Sequence, residues 1–219
     1  MAFHSVYLAP SGRFAIFTGP KCGSMTVRVL MWRLHTANWE WNPPAAKYPG
    51  DDGGITARLD GVGIASDRTR KLEVRTARIA VHRDPEDRVR SFYRNRIRPR
   101  QSFSDFCENM DWLSLMYRPT RVHVSRLTAV LGYEPEAYDA VLPTQKLHLL
   151  PTVVRALTGE EVPAPQKFNT TKRAEEAEAL TPRAQEILDL YCAHDRYFGW
   201  DGKTTILPPE VVDSPEAPG

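Results

Sequence analysis

The chain has 219 residues, 42% of them hydrophobic, with 29 Lys/Arg against 27 Asp/Glu and a formal net charge of +2. That gives one domain of ordinary size with room for a core, and it excludes both a disordered polyelectrolyte and a uniformly basic nucleic-acid coat. The three cysteines, Cys22, Cys107 and Cys192, are odd in number and far apart, which argues against a disulfide framework or a metal pattern and suits a reducing compartment.

In chain order, Ser5–Leu8 and Phe14–Phe17 are short apolar runs on either side of Pro10-Ser11-Gly12-Arg13, a pattern that predicts a hairpin. Gly19-Pro20-Lys21-Cys22-Gly23-Ser24 then forms a tight turn. Val27, Leu30, Met31 and Leu34 follow at i, i+3, i+4, i+7, the stripe of an amphipathic helix. Strand, glycine-containing turn and helix together aim backbone N–H groups and a positive helix end at one point, which favours an anion. The nucleotide P-loop pattern G-x-x-x-x-G-K-[ST] would need glycine at 24 and lysine at 25, where this chain has Ser24 and Met25. Its lysine is Lys21, with hydroxyls at Ser24 and Thr26.

Residues 37–54 are rich in Trp, Pro, Asn, Gly and Asp and read as an ordered loop. Trp39, Trp41 and Tyr48 either cap the edge of the core or offer flat rings to an acceptor. Residues 55–65 carry short strand-like pieces broken by Gly61 and Gly63. Ile79-Ala80-Val81 is the next buried strand. Asp84-Pro85 is a helix start, with Glu86 and Asp87 suiting its first turn. Val89, Phe92, Tyr93 and Ile97 make its buried stripe; Ser91 falls off that stripe, and Arg83 stands at the strand's end. Residues 66–100 hold 12 Lys/Arg against 5 Asp/Glu, a local excess of +7. The arginines at 88, 90, 94, 96, 98 and 100 read either as a solvated helix face partnered by Glu86, Asp87 and Glu108 or as a field that steers an acidic acceptor.

Further on, Phe103, Phe106, Cys107 and Met110 share one helical face and are expected in the core. Val122 to Leu131 predicts a second helix, stopped by Gly132. Residues 138–142 predict a strand ended by Pro143, with Thr144 placed to cap the helix expected next. Leu147, Leu150, Val154 and Leu157 form a stripe split at Pro151 and ended by Gly159. Residues 163–172 read as a loop. Pro182 starts the last helix, with Ala184, Ile187, Leu188 and Tyr191 inward. The expected organisation is one α/β domain over residues 1–203 and a loose tail over 204–219. No apolar run approaches the roughly 20 residues of a membrane helix, and no charged-then-apolar segment opens the sequence; a cytoplasmic location is expected.

The run P-K-C-G-S-M-T after one strand, and R-D-P-x-x-R-x-x-S-x-Y after another, resembles the sulfotransferases that use 3′-phosphoadenosine 5′-phosphosulfate (PAPS), most of all their carbohydrate branch. The resemblance implies an α/β fold: a short, mainly parallel sheet flanked by helices, in a P-loop NTPase-like three-layer architecture, with ligand loops at the strands' C-terminal ends. It implies that Lys21, Cys22, Gly23, Ser24, Met25 and Thr26 hold the 5′-phosphosulfate and that Arg83 and Ser91 hold the 3′-phosphate. Thr144 would lie on the adenine side, and Lys167 and Lys172 in a stretch that covers the cofactor. The ending Asp195, Phe198, Gly199, Trp200 is similar to the family's terminal helix.

The implied reaction is direct transfer of a sulfuryl group from PAPS to a hydroxyl or amine of a glycan or other small molecule, with no metal. Lys21 would stabilise charge on the leaving oxygen, and Glu40 is the nearest match by position for the general base. His35, Asp51, Asp52, Asp60 and Asp67 remain alternatives, while His82 should alternate away from Arg83. A small-molecule kinase, a nucleic-acid-binding module and a relative that binds nucleotide without turnover are the competing classes. The missing Walker pattern counts against the kinase, and the absence of interleaved exposed aromatics against the nucleic-acid module.

Overall fold

The computed structural model describes residues 5–41, 75–98, 100–166 and 179–212. Its strands are β1 (Ser5–Leu8), β2 (Phe14–Thr18), β3 (Ala77–His82) and β4 (Ala140–Pro143). Its helices are α1 (Ser24–Thr36), α2 (Pro85–Arg96), α3 (Phe103–Glu108), α4 (Met110–Met116), α5 (Arg118–His123), α6 (Leu127–Leu131), α7 (Leu150–Thr158), α8 (Pro182–Tyr197) and α9 (Pro209–Val212).

The turn around Gly12, whose φ of 74° suits a residue without Cβ, folds β1 back on β2 as an antiparallel pair. β3 then joins β2, and β4 joins β3, both in parallel, giving the order β1-β2-β3-β4. This is an α/β protein with a mostly parallel four-stranded sheet flanked by helices. Strand alternation divides the core. Phe14, Ile16, Ile79, Val81, Ala140 and Leu142 pack with Val27, Leu30 and Met31 of α1 and with Leu150, Val153 and Val154 of α7. Ala15, Phe17, Ala80 and Val141 face the other way, toward Leu127, Val130 and Leu131 of α6 and Trp200. A satellite cluster joins Val89, Phe92 and Tyr93 of α2 to the expected row of Phe103, Phe106, Cys107 and Met110, and to Ala184 and Leu188 of α8.

Three expectations change. The helix predicted over Val122 to Leu131 is two helices, α5 and α6, broken at 124–126. The carboxylate of Asp195, on α8, accepts from Leu127 N at 2.7 Å and Thr128 N at 3.1 Å and so caps a new helix start there. A long-range cap overrides local periodicity. Thr144 does not act as a cap: it begins a 3-10 turn over Thr144–Leu149, and its hydroxyl donates to Gln145 Oε1 at 3.3 Å. The division at 203/204 also shifts. Ile206 pairs with Val141 through backbone bonds of 2.9 and 3.0 Å, and Val211 is buried against the α7 side of the core. Residues 204–212 are therefore packed on the domain; residues 213–219 lie outside the described residues. So do Tyr48, Asp51, Asp52, Asp60, Asp67, Lys167 and Lys172, and the strand-like pieces of 55–65. Among the described residues no helix is long and apolar enough to cross a membrane.

Candidate anion-binding site

The turn between β2 and α1 is set by backbone geometry. Lys21 and Gly23 both have positive φ, 65° and 69°. Thr18 Oγ1 donates to Cys22 O at 2.9 Å, and Cys22 N donates to Gly19 O at 3.2 Å, which closes the turn. Glycine is favoured at 23 by its positive φ, and a Cβ there would also lie 3.0 Å from Leu147 Cδ1 and 3.4 Å from Thr144 Cγ2. Cys22 is fully buried, and burial pushes its thiol pKa up, so it contributes backbone and packing rather than a thiolate. Ser24 opens α1. The helix has no side-chain N-cap and no acidic residue in its first turn. Its first intrahelical bond is Val27 N to Gly23 O, so the N–H groups of Ser24, Met25 and Thr26 have no acceptor within the helix. A 13-residue helix with its start uncapped favours negative charge there.

The parallel register brings the other candidates to the same sheet edge. Thr18 pairs with Val81, and His82 pairs with Pro143. The Lys21 turn, Arg83 and Thr144 therefore leave adjacent strands at one level. Arg83 Nε faces Asp87 Oδ2 at 3.7 Å, one turn into α2. Ser91 is four residues beyond Asp87 and three before Arg94, on the same helix face. Arg94 is pushed below its ordinary pKa by partial burial and then by Arg83. Lys21 is brought down to about 8, first by burial and then by the positive charges of Arg96 and Arg83. Cations gathered around an uncapped helix start form a site that gains stability when an anion arrives.

Below this rim lies a different arrangement. Arg88 is fully buried, contrary to both readings of the arginine run. Its Nε donates to Pro20 O at 3.3 Å, and its Nη2 donates to Ser125 O at 2.7 Å and His123 O at 3.3 Å. Its Nη1 lies 3.8 Å from Asp195 Oδ2, also fully buried. Arg88 thus ties the Lys21 turn to the α5–α6 break and to α8. A signal was present in the sequence: Arg88 stands four residues before Phe92, on the apolar stripe of α2.

His123 is the site residue that sequence reasoning missed. Its ring stacks on Phe92 with centroids 4.9 Å apart and planes 18° apart, and its Nδ1–H donates to Pro119 O at 2.8 Å. Burial is the chief cause of its pKa falling to about 4; the Pro119 bond works in the opposite direction, and Lys21, Arg96 and Arg88 lower it further.

Several candidates do not join this group. Glu40 lies past the C-terminal end of α1 and is exposed. The helix between it and the Lys21 turn is 13 residues, about 20 Å, long. His35 is at that same far end, its Nε2 bonded to Leu8 O at 3.0 Å. Trp41 packs on Trp32 at 5.5 Å, and its carbonyl accepts from Arg33 at 2.9 and 3.0 Å, so it serves the edge of the core; Trp39 is exposed beside it. His82 is buried against Trp200, and its Nε2–H donates to Thr204 O at 2.8 Å, away from the rim. Among the described residues no group of His, Cys, Asp and Glu is placed to hold a metal ion. No family model, curated protein or solved structure matches the chain.

Proposed function

We propose that this chain is a PAPS-dependent sulfotransferase with a P-loop NTPase-like α/β body, acting on a hydroxyl or amine of a glycan or other small molecule. The observation that carries the reading is the meeting of the two sequence motifs. The parallel register, with Thr18 opposite Val81, carries Lys21 of the first and Arg83 of the second out of the same end of the sheet, at the uncapped start of α1. Arg83 adds to burial and Arg96 in lowering the pKa of Lys21. A nucleotide with phosphates at both ends of its ribose suits such a rim. The 5′-phosphosulfate lies on the N–H groups of Gly23 to Thr26 beside Lys21, and the 3′-phosphate lies between Arg83 and Ser91. Thr144 lies beside Gly23, next to the same turn.

In the transfer step the acceptor oxygen attacks sulfur in line as the bond from sulfur to the 5′-phosphate oxygen breaks. Negative charge grows on that bridging oxygen, and Lys21, protonated at neutral pH, is the donor placed to meet it. Burial is the chief cause of the lowered pKa of Lys21; anion binding offsets the Arg96 and Arg83 charges that lower it further, so the bound state keeps its proton to higher pH.

Thermal unfolding with 3′,5′-bisphosphoadenosine (PAP) tests the reading. At 100 times Kd, native-state binding adds about 2.7 kcal/mol and raises Tm. ATP with magnesium, which has no 3′-phosphate, should raise it far less, and Arg83→Ala should erase the difference. Equal stabilisation by ATP, unaffected by Arg83→Ala, would favour a kinase instead.

A further inference from the structure

We propose that His123 is the proton acceptor of the transfer, taking the proton of the attacking hydroxyl on Nε2; this rests on the sulfuryl-transfer reading above. The bond from Nδ1 to Pro119 O fixes the tautomer, because a carbonyl can only accept. In the neutral ring Nε2 therefore carries the lone pair, and it makes no hydrogen bond to the described residues. The ring cannot swing freely: Phe92 is stacked on it, and its own backbone carbonyl is held by Arg88. That guanidinium also binds Pro20 O, the carbonyl directly before Lys21. One buried side chain thus sets both the base and the leaving-group donor.

The chemistry balances within this set. The acceptor oxygen forms its bond to sulfur, and its proton passes to Nε2. The bond from sulfur to the 5′-phosphate breaks, and its electron pair stays on the phosphate oxygen beside Lys21. His123 then returns its proton to solvent. The charged groups facing the ring are Lys21 from the turn and Arg88 and Arg96 from α2. In the empty site burial is the chief reason the imidazole is a weak base, and these charges lower it further. The negative charge of PAPS offsets them, so arrival of the donor raises the basicity of the ring when a base is needed. Glu40, at the far end of α1, has no such coupling to the donor.

Water serves as the acceptor in the test, so that the natural acceptor need not be known. We expect purified protein to convert PAPS to PAP and sulfate in single turnover, with a rate that rises with pH through the imidazole titration. His123→Asn, whose amide can keep the bond to Pro119 O, should bind PAP within threefold of the unsubstituted chain. Its turnover should be at least 10²-fold slower with no such pH limb, the scale of general-base loss. Free imidazole should restore part of the rate to His123→Ala. Should the substitution disturb folding, the Cε1–H resonance of His123 in the intact protein should titrate at least one pH unit higher with PAP bound. Unchanged turnover in His123→Asn, loss of PAP affinity in step with rate, or an unshifted resonance would each overturn the assignment, and where water proves too poor an acceptor for turnover the resonance decides. Failure to bind PAP at all would instead overturn the sulfuryl-transfer reading beneath it.

Discussion

Two neighbouring strands of this sheet run parallel, end at one level and feed a helix each, yet their junctions are built on opposite principles. After β3, Asp84 Oδ1 caps α2 by accepting from Glu86 N at 2.9 Å and Asp87 N at 3.1 Å. Its carboxylate also meets Arg196 at 3.1 Å, and Glu86 meets Arg90 at 2.8 Å. After β2, α1 starts with no side-chain cap and no acid, and Lys21 there faces Arg83 and Arg96. The first junction answers its own charge; the second sets Lys21 among like charges at a helix start with no side-chain cap, with Asp87 paired to Arg83. On the proposed reading, the uncapped start is where the donor's anionic end binds.

Arg88 belongs to both junctions, and removing it is the severest way to break the comparison. Arg88→Ala leaves Asp195 buried without its cation and frees the Lys21 turn from α5. A loss of about 3–5 kcal/mol in urea unfolding is expected, whereas Arg88→Met combined with Asp195→Leu should recover much of it, a cycle that isolates the pair.

Next in size is Lys21. Lys21→Met should slow transfer by about 10²–10³ without lowering the stability of the unliganded protein, since it removes a partly buried cation set against two others. pH sharpens the same point. The pKa of Lys21 is about 8 when folded and 10.5 by its ordinary value, so between these the unfolded chain holds more protons. Stability should therefore rise as pH climbs from about 8 toward 10.5 and be lower below that window; Lys21→Met should flatten the rise, as denaturant midpoints across pH would report.

Asp84→Ala tests the closed junction and should cost about 1 kcal/mol, the ordinary worth of such a cap, while PAP still binds. Smallest of all, Glu40→Gln should change neither PAP affinity nor PAPS turnover, as its place beyond α1 requires.

The strand–turn–helix of residues 14–36 and the Asp84-Pro85 start were legible in the sequence because each rests on contacts within a few residues. So was the row of Phe103, Phe106, Cys107 and Met110, whose spacing alone puts it on one face. What was not legible depends on partners distant in sequence. Asp195 breaks the helix expected from 122 to 131 by capping it from 68 residues away. His123 is joined to the Lys21 turn through Arg88, which bonds both His123 O and Pro20 O. Glu40 was placed by its distance along the chain, and a straight helix carried it the wrong way.

The pairing of Ile206 with Val141 has a consequence for how this protein behaves among its own copies. β4 is the last strand of the four on its side of the sheet, and Ile206 occupies backbone groups that would otherwise invite strand addition by another molecule. A version ending at Lys203 would bare that edge, remove the carbonyl of Thr204 from His82 and uncover the ground beneath Val211. Light scattering should then detect self-assembly that the longer chain resists, making the last stretch a guard against clumping.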